Sequence, residues 1–406
     1  MTKVVHIQKS ILSTGRAPLR LHNAFLEHGI DSKILSMDFD VNLTDRIKQT
    51  SRGSRIIARV DQFFQSVLTR KIDSKYGLYS FLFFGTDISK TELIKQADII
   101  YVHWVQGGFL NLSSYRCLAK LGKPVVIVMH DMWTITGGCH HSFDCKKYTI
   151  ECSDCPMFSG RQIFNWPLHE FRMKRRMYSE FSNFYFVSPS KWLYSCAKES
   201  KLTKDKPVYH IPNILDTRVF KSVDKRFARK VLGLPEEGII VSFGAFFLSS
   251  AYKGWLELSR ALQKLKKLWP QENITVLVFG GGFNSKIAEQ IPFTTRFMGF
   301  LKDEYSTVLI YNSTDVFVTP SLADNFPTTV LESLACGTSV VGFNIGGIPD
   351  MIQHKENGYL AEYKNADDLA AGIKYCIENN VKGKLHQDFQ ASRLIKKHLD
   401  LFRDIT

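Results

Sequence analysis

Asp324 and Glu332 are two carboxylates with seven residues between them, in the run Ser321-Leu-Ala-Asp-Asn-Phe-Pro-Thr-Thr-Val-Leu-Glu-Ser-Leu-Ala-Cys-Gly-Thr-Ser-Val-Val341. Asp324 falls in a loop after a predicted strand, and Glu332 on the helix that follows. At ~1.5 Å per residue they stand at most about 12 Å apart along an axis. A carboxylate accepts hydrogen bonds from paired hydroxyls, so each can grip one hydroxyl-rich ring. The predicted helix N-terminus between them, led by Phe326, Pro327 and Thr328, offers backbone N–H groups to phosphate. This spacing suits a ligand with a sugar at each end of a pyrophosphate. The same acids also read as a helix-dipole carboxylate and an unrelated helix glutamate.

Three further stretches carry chemistry. Phe343-Asn-Ile-Gly-Gly-Ile-Pro-Asp350 is a glycine turn from strand to helix, where Gly346 and Gly347 let backbone approach a ligand. Cys139-x5-Cys145-x6-Cys152-x2-Cys155 puts four of the eight cysteines into seventeen residues, with His140 and His141 adjacent. In a reducing compartment this cluster reads as a structural Zn²⁺ site, or else as a loop of reduced cysteines that pack. Thr44–Gly77 is basic and amphipathic: Arg46, Lys48, Arg52, Arg55, Arg59, Arg70 and Lys71 flank Ile56, Ile57, Phe63, Phe64, Val67 and Leu68. It suits a helix lying on a membrane surface, or an ordinary solvated helix face. Phe171-Arg-Met-Lys-Arg-Arg176 adds a second basic patch.

The elements that must position these residues alternate strand and helix, the pattern of parallel α/β sheets. Strands are predicted at Val4–Gln8, Lys33–Met37, Asp98–Trp104, Pro124–His130, Asn183–Pro189 and Pro207–Pro212, with helices such as Leu19–His28 and Leu112–Leu121 between them. The layout repeats with strands Gly238–Phe246, Ile274–Gly280, Thr295–Phe300, Val316–Pro320 and Ser339–Asn344. Helices Gly254–Trp269, Asp303–Ser313, Thr328–Ala335 and Ala366–Glu378 separate these. The fold class is therefore α/β, two tandem Rossmann-like domains facing across a cleft, where ligands of doubly wound sheets bind. The expected boundaries are 1–212 for the first domain, with a Cys-rich insertion at 130–161 lacking strand or helix period, and 213–385 for the second. A C-terminal helix at 386–406 would pack back on the first domain.

Composition agrees with a soluble protein of two cores: 406 residues, 44% hydrophobic and 23% charged. The first residues run straight into a strand, without the apolar h-region of a signal peptide. No apolar run approaches the ~20 residues of a spanning helix. A cytoplasmic location is expected, at most peripheral on the inner face of the cell membrane. The formal charge of +14 favours anionic partners such as nucleotides or phospholipid headgroups. The basic residues are dispersed and no nucleic-acid motif is recognisable, so no nucleic-acid partner is expected.

The order of motifs resembles glycosyltransferase family 4, retaining enzymes of the GT-B fold. It runs Ile211-Pro-Asn-Ile-Leu-Asp-Thr-Arg-Val-Phe220, Lys253-Gly254, the acid pair, Ala335-Cys-Gly-Thr-Ser-Val-Val341 and Gly346-Gly-Ile-Pro349. His103-Trp-Val-Gln-Gly-Gly-Phe109 and His130-Asp-Met-Trp-Thr-Ile-Thr-Gly-Gly-Cys139 resemble a branch of bacterial surface-polysaccharide pathways. The resemblance spans essentially the whole chain and implies transfer of a sugar, of the hexosyltransferase type, from a nucleotide-diphosphate donor to a saccharide or lipid-linked acceptor. It implies that Glu332 binds the donor ribose and Asp324 the donor sugar. Lys253 would neutralise the leaving diphosphate, helped by a helix beginning near Gly347. The backbone of Gly299, Phe300 and Leu301 would meet the base. His130 fits the acceptor-side histidine, and His103 reads as a polar residue closing a strand end. No metal cofactor is implied for catalysis, so cationic side chains and helix N-termini must stabilise the leaving group.

Three departures mark this sequence. Asp324 stands where the family usually has Glu. The usual Gly-Arg pair reads Gly244-Ala245. The N-terminal glycine pair reads Thr14-Gly15, with Arg16 beside it on the acceptor or phosphate side. Two rival readings share the donor pocket: a pseudo-enzyme that binds nucleotide sugar without transferring it, and a GT-B sugar-nucleotide 2-epimerase.

Overall fold

The computed structural model describes residues 1–11, 16–37, 44–158, 164–248, 250–282 and 285–406. They form two compact units, Met1–Ile214 with Ala391–Thr406, and Leu215–Gln390.

Unit 1 holds a parallel sheet of β1 (Lys3–Gln8), β2 (Asp31–Ser36), β3 (Ile47–Gln49), β4 (Ile99–Val102), β5 (Val125–Val128), β6 (Phe184–Ser188) and β7 (Val208–His210). The strand order is β3-β2-β1-β4-β5-β6-β7. β4 and β5 are buried at every position, because helices cover both faces of a parallel sheet. One covering helix comes from the end of the chain: Ala391–Ile405 buries Leu394, Ile395, His398, Leu401 and Phe402. Its Phe402 meets Phe25 edge-on, and its His398 ring pairs with the Tyr101 hydroxyl at 3.0 Å. The sheet reverses its winding between β1 and β4, so their carboxyl ends flank a topological switch point.

Unit 2 repeats the scheme with β8 (Ile239–Phe247), β9 (Ile274–Gly281), β10 (Thr294–Phe297), β11 (Val316–Thr319), β12 (Ser339–Phe343) and β13 (Gly358–Ala361). The order is β10-β9-β8-β11-β12-β13, all parallel, with the switch point between β8 and β11. Asp315, just ahead of β11, accepts from Arg229 and Lys225 at 2.7 and 2.6 Å and from the Ile240 amide at 2.7 Å. This ties the helix Lys225–Val231 to the sheet.

The segment after β5, expected to lack strand or helix period, is regular among the described residues only in the 3₁₀ turns Met132–Ile135 and Lys147–Thr149, yet much of it is buried. The turn at Met132–Ile135 is buried throughout and belongs to the main core of unit 1. Trp133 donates its indole N–H to the Ser80 carbonyl at 3.0 Å. The buried Lys174 ammonium donates to the Trp133 and Thr136 carbonyls at 2.6 and 3.0 Å. Irregular backbone is tolerable there because its carbonyls find these donors.

Six histidines of unit 1 are held below their ordinary pKa, burial being the main cause in each. His22, His130 and His210 are pushed down to about 4 and His398 to about 3, while His6 and His103 lie well below the ordinary value. Such groups bind protons more readily in the unfolded chain. Their contribution is complete above pH ~6.5 and is lost as pH falls toward the folded values, at roughly 1.4 kcal/mol per pH unit for each group. Glu170 and Asp61, whose carboxyls burial raises, act in the opposite direction but are two against six. Pulse proteolysis in urea, with fragments mapped by mass, should therefore show the unit 1 midpoint falling from pH 7 to pH 5 well ahead of unit 2. An unchanged unit 1 midpoint would contradict neutral burial of these rings.

Candidate active site

Two loops leaving neighbouring strands meet at the switch point of unit 2. The loop after β8 makes a 3₁₀ turn, Ala251–Lys253, and passes through Gly254 into the helix Trp255–Leu268. The loop after β11 carries Ser321 and Asp324 before the helix Thr328–Ala335. Lys253 Nζ lies 2.6 Å from Asp324 Oδ2, and Ser321 donates to the same oxygen at 3.3 Å. The Leu322 amide donates to the Tyr252 carbonyl at 2.7 Å, fastening one loop to the other. Burial works to lower the Lys253 pKa, but the Asp324 charge and Tyr252 outweigh it and the net shift is upward. Lys253 therefore remains a cation at neutral pH.

Two glycines make the approach possible. Gly254 is left-handed at φ +73°, and a Cβ there would sit 1.8 Å from the Pro320 carbonyl oxygen. Gly346 is left-handed at φ +58°, and its Cβ would sit 1.9 Å from the Asp324 carbonyl oxygen. The Gly347 amide donates to that carbonyl at 3.2 Å. The expected helix near Gly347 is only a 3₁₀ turn, Ile348–Asp350. Its continuation is blocked where Asn357 takes the Gln353 amide at 2.8 Å and donates to the Met351 carbonyl at 3.2 Å. Gly346 and Gly347 thus hold the Asp324 loop in place, and no helix dipole starts at Gly347.

Glu332 is buried on the helix Thr328–Ala335 and accepts from the Tyr311 hydroxyl at 3.2 Å. That helix begins after Pro327 with no side-chain cap, leaving its first amides to other partners. Phe326 is buried and packs on Phe389. Gly244 lies under the Phe279 ring, which a Cβ would strike at 2.2 Å, so its task is packing. Gly299 is left-handed with open space around it, and its carbonyl accepts from Gly280 at 2.8 Å. Leu301 packs against the unit 2 core. Phe300 is exposed and meets the exposed Phe246 edge-on at 5.3 Å, with Phe247 at 4.6 Å from Phe246. Sequence reasoning missed Phe246 and Phe247, although two adjacent aromatics at the end of a central strand were a visible signal.

In unit 1, His130 follows β5 and belongs to a chain of three imidazoles. His130 Nε2 lies 3.1 Å from His103 Nδ1, and His103 Nε2 lies 3.0 Å from His6 Nδ1. His103 is a buried link in this chain, where the sequence suggested only a strand-end polar group. Asp131 binds the His140 ring at 2.6 Å, and His140 in turn binds Ser80 at 2.8 Å. Arg16 opens the helix Arg16–Glu27, while Thr14 and Gly15 lie outside the described residues. Cys139, Cys145, Cys152 and Cys155 line one small cavity of unit 1. As these thiols are turned, no three His, Cys, Asp or Glu side chains among the described residues are placed to hold a metal.

Residues 224–392 match the family model of glycosyl transferases group 1. An uncharacterized glycosyltransferase of Haemophilus influenzae is 28% identical over 149 residues, 36% of this chain and 40% of that protein. The D-inositol 3-phosphate glycosyltransferase of Mycobacterium leprae is 30% identical over 170 residues, 39% of this chain and 38% of that protein. The chain thus spans about two-fifths of the length of these curated relatives. Among solved structures, Anabaena HepE in complex with UDP and glucose covers 100% of both chains, with a TM-score of 0.66 and 15% identity. Sucrose-phosphate synthase from Thermosynechococcus elongatus covers 100% of this chain and 99% of its own, with a TM-score of 0.64 and 16% identity. At these identities the likeness is one of fold, and the fold is GT-B.

The glycine contacts generate a stability order. Alanine in a left-handed conformation costs roughly 1–2 kcal/mol by itself, which is all that Gly299→Ala should lose. Gly346→Ala and Gly254→Ala add a backbone collision and should each lose clearly more of the unit 2 stability in urea unfolding. Equal losses at the three positions would show that the loops are not held by these contacts.

Proposed function

We propose that this protein is a retaining glycosyltransferase of family 4 that takes a sugar from a nucleotide-diphosphate donor held by unit 2. The acceptor would be a saccharide, lipid-linked in a surface-polysaccharide pathway. The observation that carries the reading is the Lys253–Asp324 pair at the β8/β11 switch point, with buried Glu332 on the adjoining helix. The group 1 family match over residues 224–392 supports it, as does the fold shared with the UDP complex of HepE.

In this reading the donor diphosphate lies against Lys253 and the uncapped amides after Pro327. Asp324 accepts from hydroxyls of the donor sugar and Glu332 from the ribose. The exposed Phe246 and Phe300 rings offer the base a stacking surface beside Gly299. During transfer the C1–oxygen bond to the diphosphate breaks and a C1–oxygen bond to the acceptor forms on the same face. The acceptor proton passes to the departing phosphate oxygen, so configuration is retained and no protein base is required. Lys253 stabilises the charge that grows on the leaving diphosphate. His130, neutral through burial, serves as a hydrogen-bonding group on the acceptor side. The pseudo-enzyme and 2-epimerase readings share the pocket and differ in product.

A panel of nucleotide sugars, followed for transfer and slow hydrolysis in excess EDTA, tests this directly. The wild type should release nucleoside diphosphate and lose little activity to EDTA. Lys253→Ala and Glu332→Ala should fall by ~10²–10³ while remaining folded. Activity within a few-fold of wild type for folded Lys253→Ala would remove the assigned role. Complete inhibition by EDTA, reversed by Mg²⁺, would require a metal-dependent mechanism. An epimerised sugar nucleotide as product would favour the 2-epimerase.

A lipid-linked acceptor calls for a membrane-facing surface, and we assign that role to the helix Arg52–Leu68. Its inner face is held where Ala58 and Asp61 meet Gly108. On the outer face Ile56, Val60, Phe63 and Val67 recur at helical spacing, and all are exposed. Arg52 and Arg59 are exposed along this stripe, with Arg55 half-buried at its flank, so the face offers apolar insertion and cationic attraction together. Among the described residues no helix is long and apolar enough to cross a membrane. We expect flotation with phosphatidylglycerol vesicles that weakens with salt, each arginine contributing ~1 kcal/mol. Arg52→Glu, Arg55→Glu and Arg59→Glu combined should abolish it, and binding unaffected by that change would exclude this face.

A further inference from the structure

The cysteines of this chain divide into two populations. Cys117, Cys196, Cys336 and Cys376 lie within or at the ends of helices, and of these Cys336 and Cys376 line one cavity of unit 2. Cys139, Cys145, Cys152 and Cys155 instead all face one cavity of about 20 Å³. None of the eight is in a disulfide.

The chain is folded to bring these four together. Cys139 bridges to Tyr79, with the Ser80 amide on the Gly138 carbonyl at 2.9 Å. The Cys145 amide closes a turn onto Ser142 at 2.9 Å, just after left-handed Phe143 at φ +48°. Between Cys152 and Cys155, Asp154 is also left-handed, at φ +42°. Lys147 Nζ clamps that turn through the carbonyls of Ser153 and Asp154 at 3.0 and 2.8 Å. The Gly137 amide donates to Cys152 Sγ at 3.3 Å, so one thiol already has a backbone donor of the kind that supports a thiolate ligand.

Apolar packing secures part of this segment: Cys139 belongs to a small cluster with Tyr79, Phe81 and Met157, Cys155 packs on that cluster, and Cys152 packs on the main core of unit 1. Four sulfurs around one small cavity suit a further kind of fastening. Four-sulfur tetrahedral coordination selects zinc or an iron–sulfur centre, and zinc adds no redox chemistry to a loop beside His130. We propose that Cys139, Cys145, Cys152 and Cys155 bind one structural Zn²⁺, which fixes this segment of unit 1. Binding would require the thiols to turn toward one another from the orientations they have here. Binding joins three stretches of chain, at Cys139, at Cys145 and at Cys152–Cys155, and releases the thiol protons to solvent. Asp131, His140 and the Met132 amide carry that order to His130, since Met132 donates to the His140 carbonyl at 3.0 Å and Asp131 holds the His140 ring.

The test uses the full chain, purified without added metal and without a histidine tag. Elemental analysis should find about one zinc per chain. Cys152→Ser with Cys155→Ser should lose it, whereas Cys117→Ser and Cys196→Ser should keep it. Because the double variant can fail to fold, a second measurement uses the native protein. Titrating its thiols with an organomercurial should release the zinc in step with four of them. Replacing zinc with Co²⁺ should give the intense visible bands and thiolate-to-cobalt charge transfer of a tetrahedral sulfur site. Metal-free protein with eight reactive thiols, disulfides among the four cysteines, or a bound iron–sulfur chromophore would each overturn the assignment. So would zinc retained by a folded Cys152→Ser, Cys155→Ser variant.

Discussion

Lys253 and Asp324 lie 71 residues apart in sequence and 2.6 Å apart in space, across loops that leave neighbouring strands. A lysine in such a partly buried place faces a desolvation cost that would favour losing its proton. The carboxylate reverses that preference. The pair can form only because both backbones approach closely, which Gly254 permits beneath Pro320 and Gly346 beneath the Asp324 carbonyl. The rest of unit 2 serves this contact. The parallel sheet places the ends of β8 and β11 side by side, and the switch of winding keeps the space above them free of a crossover helix.

Unit 1 uses the same sheet logic with a different chemistry at its switch point. Its strand ends carry imidazoles where unit 2 has charged groups. His6, His103 and His130 share two hydrogen bonds deep enough that burial keeps all three neutral. A neutral imidazole donates from one nitrogen and accepts at the other, so a chain of such rings directs its bonds in one sense. The two sheets therefore provide unlike ends: an ion pair in one unit and a neutral polar chain in the other.

The central strands were legible because they are short, continuous apolar runs, and Val316–Thr319 and Ser339–Phe343 lie within a residue of where the sequence placed them. Of the four edge strands, β7 and β10 were placed by the sequence, but β3 and β13 were not. Ile47–Gln49 is half exposed and Gly358–Ala361 has no clear period, so each is defined by pairing with a neighbour. Among site residues, the acid pair could be read because a loop and the following helix are local. The His6–His103–His130 chain could not, since it depends on β1, β4 and β5 lying adjacent, and single-strand patterns do not specify pairing order. The segment after His130 looked like an insertion for a related reason. Its burial rests on Ser80 and Lys174, both distant in sequence.

Asp324, one methylene shorter than the glutamate usual in the resembling family, fits this loop on geometric grounds. Its main chain is pinned from two sides, by the Gly347 amide on its carbonyl and by the Leu322 amide bonded to Tyr252. Its side chain already spans the remaining gap to Lys253 and Ser321. In the proposed reading an arriving diphosphate presents its anionic oxygens to a lysine that one carboxylate already neutralises. Lys253 then exchanges one anionic partner for another and is never left bare in a low-dielectric site. Asp324, released from the lysine, is free to accept from sugar hydroxyls. The pair thus keeps the lysine charged and oriented before the donor arrives, so little reorganisation is left for the moment when charge develops on the leaving group.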